Sequence, residues 1–453
     1  MASVVQDMTK GKEVPLLIKF TLPLLIGNLF QQCYSIVDSA IVGHVEGANA
    51  LGAIGCTNWI TFIFFACCNG IGIGAGILVA QLFGAAERTK IKQAISNSFY
   101  IMIVLGVLLS VLGFLITEPV LNLLGTPAGQ IEQAVDYMQV ICAGTFAVAL
   151  YNYVANVMRA LGDSKTPLLF LIMASFLNIA LDVLFVVDFG WGVKGAAYAT
   201  VLAQLISAIF SIVYAVWKNP YFRMSKADLI FNKELSVMCF RIGMPLAAQS
   251  MMISLSCVIL QSMVNRFDEE VVSAFTVTSK VELLLDQPFI ALSSALSTFT
   301  GQNMGAKSPD RVKKAFHWSV LITTVYCLLV VVATFILDEQ IAKIFVQESY
   351  VVEISATALR ILGVMYWPLG MIFIIRGLLN GAGDARYALA SGIIEVAGRI
   401  GFSILFVFLI PIGMWAVWIA TGLTWCLTAL ITYIRYKTGI WKTAMCLADH
   451  ISA

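Results

Sequence analysis

The sequence predicts an all-α polytopic membrane protein, with twelve transmembrane helices in two six-helix parallel repeats that form two lobes around a central cavity. Three observations lead there. First, 60% of the 453 residues are hydrophobic and only 12% are charged, about half the charged fraction of a soluble domain. Second, the apolar runs have the length a bilayer requires, about 20 residues each. Third, the second half repeats motifs of the first at a nearly constant spacing. A net charge of +2 singles out no charged partner, and no nucleic acid is expected.

Apolar runs fall at about 16–42, 51–83, 93–116, 133–160, 168–187 and 193–217, and again at about 237–264, 271–304, 315–336, 351–380, 387–410 and 412–435. They define a cytoplasmic N-terminus at 1–15, a first lobe at 16–217, a cytoplasmic linker at 218–236, a second lobe at 237–436 and a cytoplasmic tail at 437–453. The start from Met1 to Pro15 is polar, with Asp7 and Glu13, so no cleavable signal peptide is expected.

Orientation follows from the short loops. Arg88, Lys90 and Lys92 follow the second span, Lys165 the fourth, and Lys218, Arg223, Lys226 and Lys233 the sixth. Lys307, Arg311, Lys313 and Lys314 follow the eighth, Arg386 the tenth, and Arg435, Lys437 and Lys442 the twelfth. The opposite loops hold only Lys194, Arg266 and Lys343. By the positive-inside rule both termini are cytoplasmic, in a cell membrane.

The repeat has an offset of 221 residues. Gln81 to Ala85 matches Gln302 to Ala306, and Gly162-Asp163 matches Gly383-Asp384. Leu184-Phe185-Val186 matches Leu405-Phe406-Val407, Gly192 matches Gly413 and Thr200 matches Thr421, while Pro23 matches Pro245 one residue further on. Six spans per copy, an even number, give both copies the same orientation, hence parallel repeats about an axis along the membrane normal.

Smaller features complete the reading. Gly70, Gly72, Gly74 and Gly76 alternate in the second span without a surrounding βαβ unit, so they serve close helix packing or bending rather than nucleotide binding. Pro288 is expected to kink the eighth span, and Pro23 and Pro245 to bend the first and seventh. Trp191, Trp217, Trp367, Trp415 and Trp441 read as interface anchors. Gly162-Asp163 and Gly383-Asp384 read as turns. Cys33, Cys56, Cys67, Cys68, Cys142, Cys257, Cys327 and Cys426 lie in apolar runs without a Cys-x-x-Cys pair and read as packing residues. His44, His317 and His450 are too scattered for a metal site.

Chemistry concentrates in a few intramembrane polar groups. Asp182 and Asn178 sit four residues apart on one face of the fifth span. A carboxylate there costs about 2.5–3.5 kcal/mol to insert. At 1.5 Å of rise per residue, Asp38 lies about 8 Å below the outer end of the first span, Asp182 about 9 Å below that of the fifth, and Thr200 about 10 Å below that of the sixth. Asn152 sits nearer mid-membrane. The repeat puts Ser403 opposite Asp182, Arg399 opposite Asn178 and Leu260 or Gln261 opposite Asp38, so the acidic group belongs to the first copy only. Two neighbouring carboxylates in a low dielectric take up a proton or a cation, and carboxylate, amide and hydroxyl oxygens suit Na⁺. The structural alternative is that Asp38 and Asp182 cap or bond neighbouring helices. The second copy holds Lys280, Glu282 and Asp286 on the eighth span and Glu395 and Arg399 on the eleventh. These read either as a salt-bridge network joining the two spans or as an acidic wall for a cationic substrate or a second proton. No Gly-x-x-x-x-Gly-Lys-[Ser/Thr] loop is present, so an ion gradient rather than ATP is expected to drive transport.

These features together resemble the multidrug and toxic compound extrusion (MATE) family over the whole chain. The likeness is carried by Pro23 and Asp38 in the first span, by the Gln-x-x-Gly-Ala and Gly-Asp repeats, and by the Asn178/Asp182 face. It implies a bacterial-type cation site in the N-terminal lobe at Asp38, Asn178 and Asp182, with Asn152 and Thr200 contributing. It also implies export of amphipathic, cationic organic compounds in exchange for H⁺ or Na⁺ by alternating access, without an enzymatic step and without a cofactor, by a protein working as a monomer in the lipid bilayer. One branch of the family carries acids in the middle of the seventh and in the tenth span; here the seventh has none and the tenth only Glu353, near its outer start. Two further readings stand beside this one: a lipid-linked oligosaccharide flippase of related architecture, and a non-transporting membrane enzyme or receptor.

Overall fold

The computed structural model describes residues 5–123, 125–410 and 412–443. Residues 1–4 of the expected N-terminal segment and the tail beyond 443, with His450, lie outside them. The described chain is all-helical. Its first half comprises α1 (Glu13–Val45), α2 (Ala48–Gly84), α3 (Arg88–Leu123), α4 (Ile131–Ala160), α5 (Lys165–Asp182) and α6 (Gly192–Lys218). Its second half comprises α7 (Lys233–Val264), α8 (Glu269–Leu285), α9 (Gln287–Gly305), α10 (Pro309–Ile336), a short α11 (Asp338–Lys343), α12 (Ser349–Gly381), α13 (Ala385–Ile404) and α14 (Ala416–Lys437).

Among the described residues, eleven helices are long and apolar enough to cross a membrane singly. The twelfth crossing is shared by α8 and α9, and it is the kinked span expected from Pro288. Asp286 separates the two helices in helical conformation, its N–H on the Glu282 carbonyl at 2.9 Å and its carbonyl accepting from the Ile290 N–H at 3.0 Å, and Pro288 stands in the first turn of α9. Proline lacks the N–H that would continue the first helix, and its ring is best tolerated in a helix's first turn. Tyr326 steadies the kink by donating its hydroxyl to the Leu285 carbonyl at 2.9 Å.

A second feature is shared by both copies. α5 runs on as a π-helix over Val183–Asp188, and α13 does so over Leu405–Leu409, at repeat-related positions. A π-turn holds an extra residue and turns the side chains beyond it. Asp182 is the last α-helical residue before this change.

The chain divides into two compact units. One gathers residues 22–247 together with 5–10; the other gathers 11–21 and 248–443. In the first unit α2 and α4 are the central helices, mostly buried. The alternating glycines of α2 explain how. A Cβ on Gly70 would lie 2.5 Å from the Ala247 Cα, and one on Gly74 would lie 2.6 Å from the Gly243 Cα, so one face of α2 meets the start of α7 backbone to backbone. Gly72 and Gly76 face α4, where added Cβ atoms would come within 3.1–3.2 Å of Asn156. Small residues permit such approach where lipid offers no hydrophobic driving force.

The segment after α6 is bound to α3. Ser96 donates to the Asp228 carbonyl (2.6 Å), Asn97 donates to the Ile230 carbonyl (3.2 Å) and accepts from the Asn232 N–H (2.7 Å), and Tyr100 donates to the Leu229 carbonyl (3.0 Å). Asp228 accepts from the Ser225 N–H and hydroxyl, both at 2.7 Å, and those bonds, with Lys92 nearby, hold its carboxyl below its ordinary value. In the second unit a core of Phe289, Tyr366, Trp418 and Trp425 packs between α9, α12 and α14. Trp191, Trp217 and Trp367 are exposed, as interface anchors should be, but Trp441 is not an anchor. It is buried, stacked on Tyr436 at 5.9 Å, and donates its indole N–H to the Tyr436 carbonyl.

Candidate functional site

The first unit brings α1, α5 and α6 together around four of the five residues singled out there. The Asp38 and Asp182 side chains come within hydrogen-bonding reach of one another. Asp182 is fully buried, and neither of its oxygens has a donor; Asp38 Oδ1 is also buried without one. The group each faces is another acceptor, so the pair is held together only if a proton or a cation lies between them. Asn178, one turn before Asp182, donates to the Thr200 hydroxyl at 3.4 Å and keeps its own Oδ1 unpaired. Beside them lies a small, water-sized cleft lined by Tyr34, Leu171, Ser175, Asn178, Thr200 and Gln204. Carboxylates, an amide oxygen and hydroxyls converge here, a donor set for a hard cation or a shared proton.

Asn152, the fifth residue, is engaged elsewhere. Its amide donates to the Val148 carbonyl at 2.9 Å, within α4. Sequence reasoning missed two tyrosines. Tyr34 and Tyr137 stand close enough to interact electrostatically with both Asp38 and Asp182. Tyr34 lies four residues before Asp38, so the helical period could have placed it on that face; nothing local marks Tyr137.

The second unit organises its charges differently from the expected link between the eighth and eleventh spans. Arg376 of α12, which the sequence reading passed over, pairs with Glu395 at 2.8 Å. Arg399 lies 3.6 Å from the same Glu395 and donates to the Ser256 hydroxyl of α7 at 2.7 Å. The ion-paired network therefore joins α12, α13 and α7. Glu282 interacts with Arg399 and Glu395, and Asp286 with Glu282 and Glu395, only through the field, and among the described residues neither is in a direct ion pair. Asp286 Oδ1 and the Tyr366 hydroxyl are buried without partners. Lys280 is exposed and takes no part.

Comparison with known proteins finds relatives over nearly the whole chain. A family model described as MatE matches residues 23–184 and 245–405, once in each repeat. The probable multidrug resistance protein YpnP of Bacillus subtilis is 28% identical over 438 residues, covering 96% of this chain and 97% of its own. The FAD transporter of Shewanella oneidensis is 26% identical over 370 residues, covering 80% of this chain and 81% of its own. A MOP superfamily transporter from Pyrococcus furiosus shares the fold with a TM-score of 0.90 at 23% identity, over 98% of this chain and 99% of its own.

Proposed function

The chain belongs to the MatE family and is a multi-pass membrane transporter rather than an enzyme; from that premise we propose that it is a secondary active antiporter of the cell membrane. It exports amphipathic, cationic organic compounds in exchange for H⁺ or Na⁺, with both termini cytoplasmic and the two repeats giving alternating access. Relatives named as multidrug resistance proteins support the substrate class. The observation that carries the coupling is the Asp38–Asp182 pair. Two carboxyl groups without donors, set in a membrane span, bind their counter-cation or proton strongly and release it when the surroundings change. Asn178 and Thr200 supply the neighbouring oxygens that a bound Na⁺ would use, and a proton would need only the two carboxyls.

The test is efflux from proteoliposomes under a pH gradient alone, then under a Na⁺ gradient alone. Whichever gradient drives efflux names the ion. Asp38→Asn and Asp182→Asn are expected to abolish driven efflux while the protein remains folded. Transport by the double variant at the wild-type rate refutes the assignment. The relative named as an FAD transporter favours a second reading of the substrate, in which the exported compound bears anionic groups.

A further inference from the structure

α4 carries a polar face that the carboxylate pair does not use. From Ala147 to Ser164 every side chain is buried except Asn152, Asn156 and Arg159, which are partly accessible. Their spacing, i, i+4 and i+7, puts them on one face along about 10 Å of helix. The accessible strip of this stretch of α4 is thus confined to three polar residues. The Arg159 guanidinium donates from Nη2 to Asn156 Oδ1 at 2.9 Å, and Asn156 in turn donates to the Asn152 carbonyl at 2.9 Å. No carboxylate pairs with Arg159 among the described residues, in contrast to Arg376 and Arg399. The facing helix is shaped for it: Gly72 and Gly76 of α2 present backbone without side chains toward Asn156, where added Cβ atoms would crowd it. The repeat does not demand the face, since the positions 221 residues on are Phe373, Gly377 and Asn380.

We propose that Arg159, oriented by Asn156, is the recognition point for an anionic group on the transported compound. The free polar groups of the face are Nη1 and Nε of Arg159, one amide N–H each of Asn152 and Asn156, and the single acceptor Asn152 Oδ1, so donors dominate. Such a set suits a carboxylate, sulfonate or phosphate, which accept from a guanidinium in a forked geometry. Arg159 stands in the last turn of α4 without a carboxylate partner among the described residues, and an incoming anion would supply one. The proposal rests on the transporter reading and extends its substrates to compounds that carry a negative group, zwitterions included.

Two xanthene dyes of opposite charge test it, anionic fluorescein and cationic rhodamine 6G. Binding to the full-length protein in detergent is read by fluorescence anisotropy. Arg159→Gln is expected to weaken fluorescein about tenfold or more, the scale of a lost charge-assisted pair, and to bind rhodamine 6G no more weakly than wild type. Arg159→Lys keeps the charge without the fork and is expected to fall between. Asn156→Asp is the near-isosteric second variant. It sets a carboxylate against Nη2 and is expected to weaken fluorescein as Arg159→Gln does, which keeps the test decisive if the arginine variant misfolds. Competition by phosphatidylglycerol micelles would assign the site to a lipid headgroup, and its absence to a soluble anion. Equal fluorescein affinity in wild type, Arg159→Gln and Asn156→Asp overturns the proposal, as does an absence of saturable fluorescein binding by wild type. Dye binding without gradient-driven efflux would instead remove the transport reading and leave the site standing.

Discussion

Replacing Gly74 with alanine would place a methyl group 2.6 Å from the Gly243 Cα and nitrogen and 3.0 Å from the Cys239 carbonyl. All three are backbone atoms of α7, so no side chain can turn aside. Ordinary contact begins near 3.4 Å, so the start of α7 must withdraw by about 0.8 Å. Overpacking of this kind costs about 1–3 kcal/mol, while alanine returns up to about 1 kcal/mol of helix propensity. The expected net loss is up to about 2 kcal/mol. For a unit of roughly 200 residues this corresponds to a fall of up to about 8 °C in the melting midpoint. Gly55→Ala is the matched control, since nothing lies within 4 Å of its added Cβ; it should leave the midpoint unchanged or raise it slightly. Gly243→Ala attacks the same contact from the other side, 2.7 Å from the Ile71 Cα. The Gly74→Ala/Gly243→Ala double variant should lose less than the sum of the singles, because the first methyl has already opened the gap for the second. Intrinsic fluorescence melts in detergent provide the measurement. Gly74→Ala melting at or above wild type would refute the claim that backbone contact sets this interface.

Two further outcomes follow from the charges. Arg376→Ala strands the buried Glu395 with only Arg399 at 3.6 Å and should cost about 3–5 kcal/mol, whereas Arg376→Met with Glu395→Leu should recover most of it; a melting cycle in which the double variant is as unstable as the single would contradict this. Asp163 caps α5, accepting from the Lys165 and Thr166 N–H groups, and burial pushes its carboxyl above the ordinary range. In the window between the ordinary and the raised value the unfolded chain releases its proton first, so stability should fall as pH rises through it. Asp163→Asn should keep the cap and lose that pH dependence, and Asp163→Ala should lose about 1 kcal/mol; melts across mildly acidic pH distinguish the three proteins.

The spans were legible because a bilayer imposes a length on every apolar run, and the repeat because Gln81-x-x-Gly84-Ala85 and Gly162-Asp163 recur unchanged in type. The turn at Gly162 is explained by its φ of +87°, which glycine adopts without strain. The carboxylate pair was legible because an acid in a span is too costly to be incidental. What escaped depended on partners distant in sequence. The apolar run from 271 to 304 shows its proline, and with it the kink, but not the distant Tyr326 hydroxyl that bonds the Leu285 carbonyl beside it. Arg376 sits inside a run whose other residues read as core, and only the fold shows that Glu395 neutralises it. The π-turns after Asp182 and Ile404 leave no periodic trace over so few residues. Trp441 looked like its exposed counterparts because an aromatic near a helix end is equally suited to lipid and to a ring such as Tyr436.

The boundary of the first unit lies beyond the boundary of the repeat. The start of α7, through Ala247, belongs with the first six helices, and residues 226–232 are already tied to Ser96, Asn97 and Tyr100. During synthesis, then, the first six helices are inserted with the Gly70/Gly74 groove bare and the Asn97 carboxamide bonded only within its own helix, to the Gln93 carbonyl. Only when thirty more residues have left the ribosome is the bundle closed. The piece of chain that was duplicated in ancestry and the piece that matures as a body are out of phase by half a helix. A split-gene version cut at the linker would separate a groove from the segment that fills it, whereas a cut just after Ala247 would leave the first body whole.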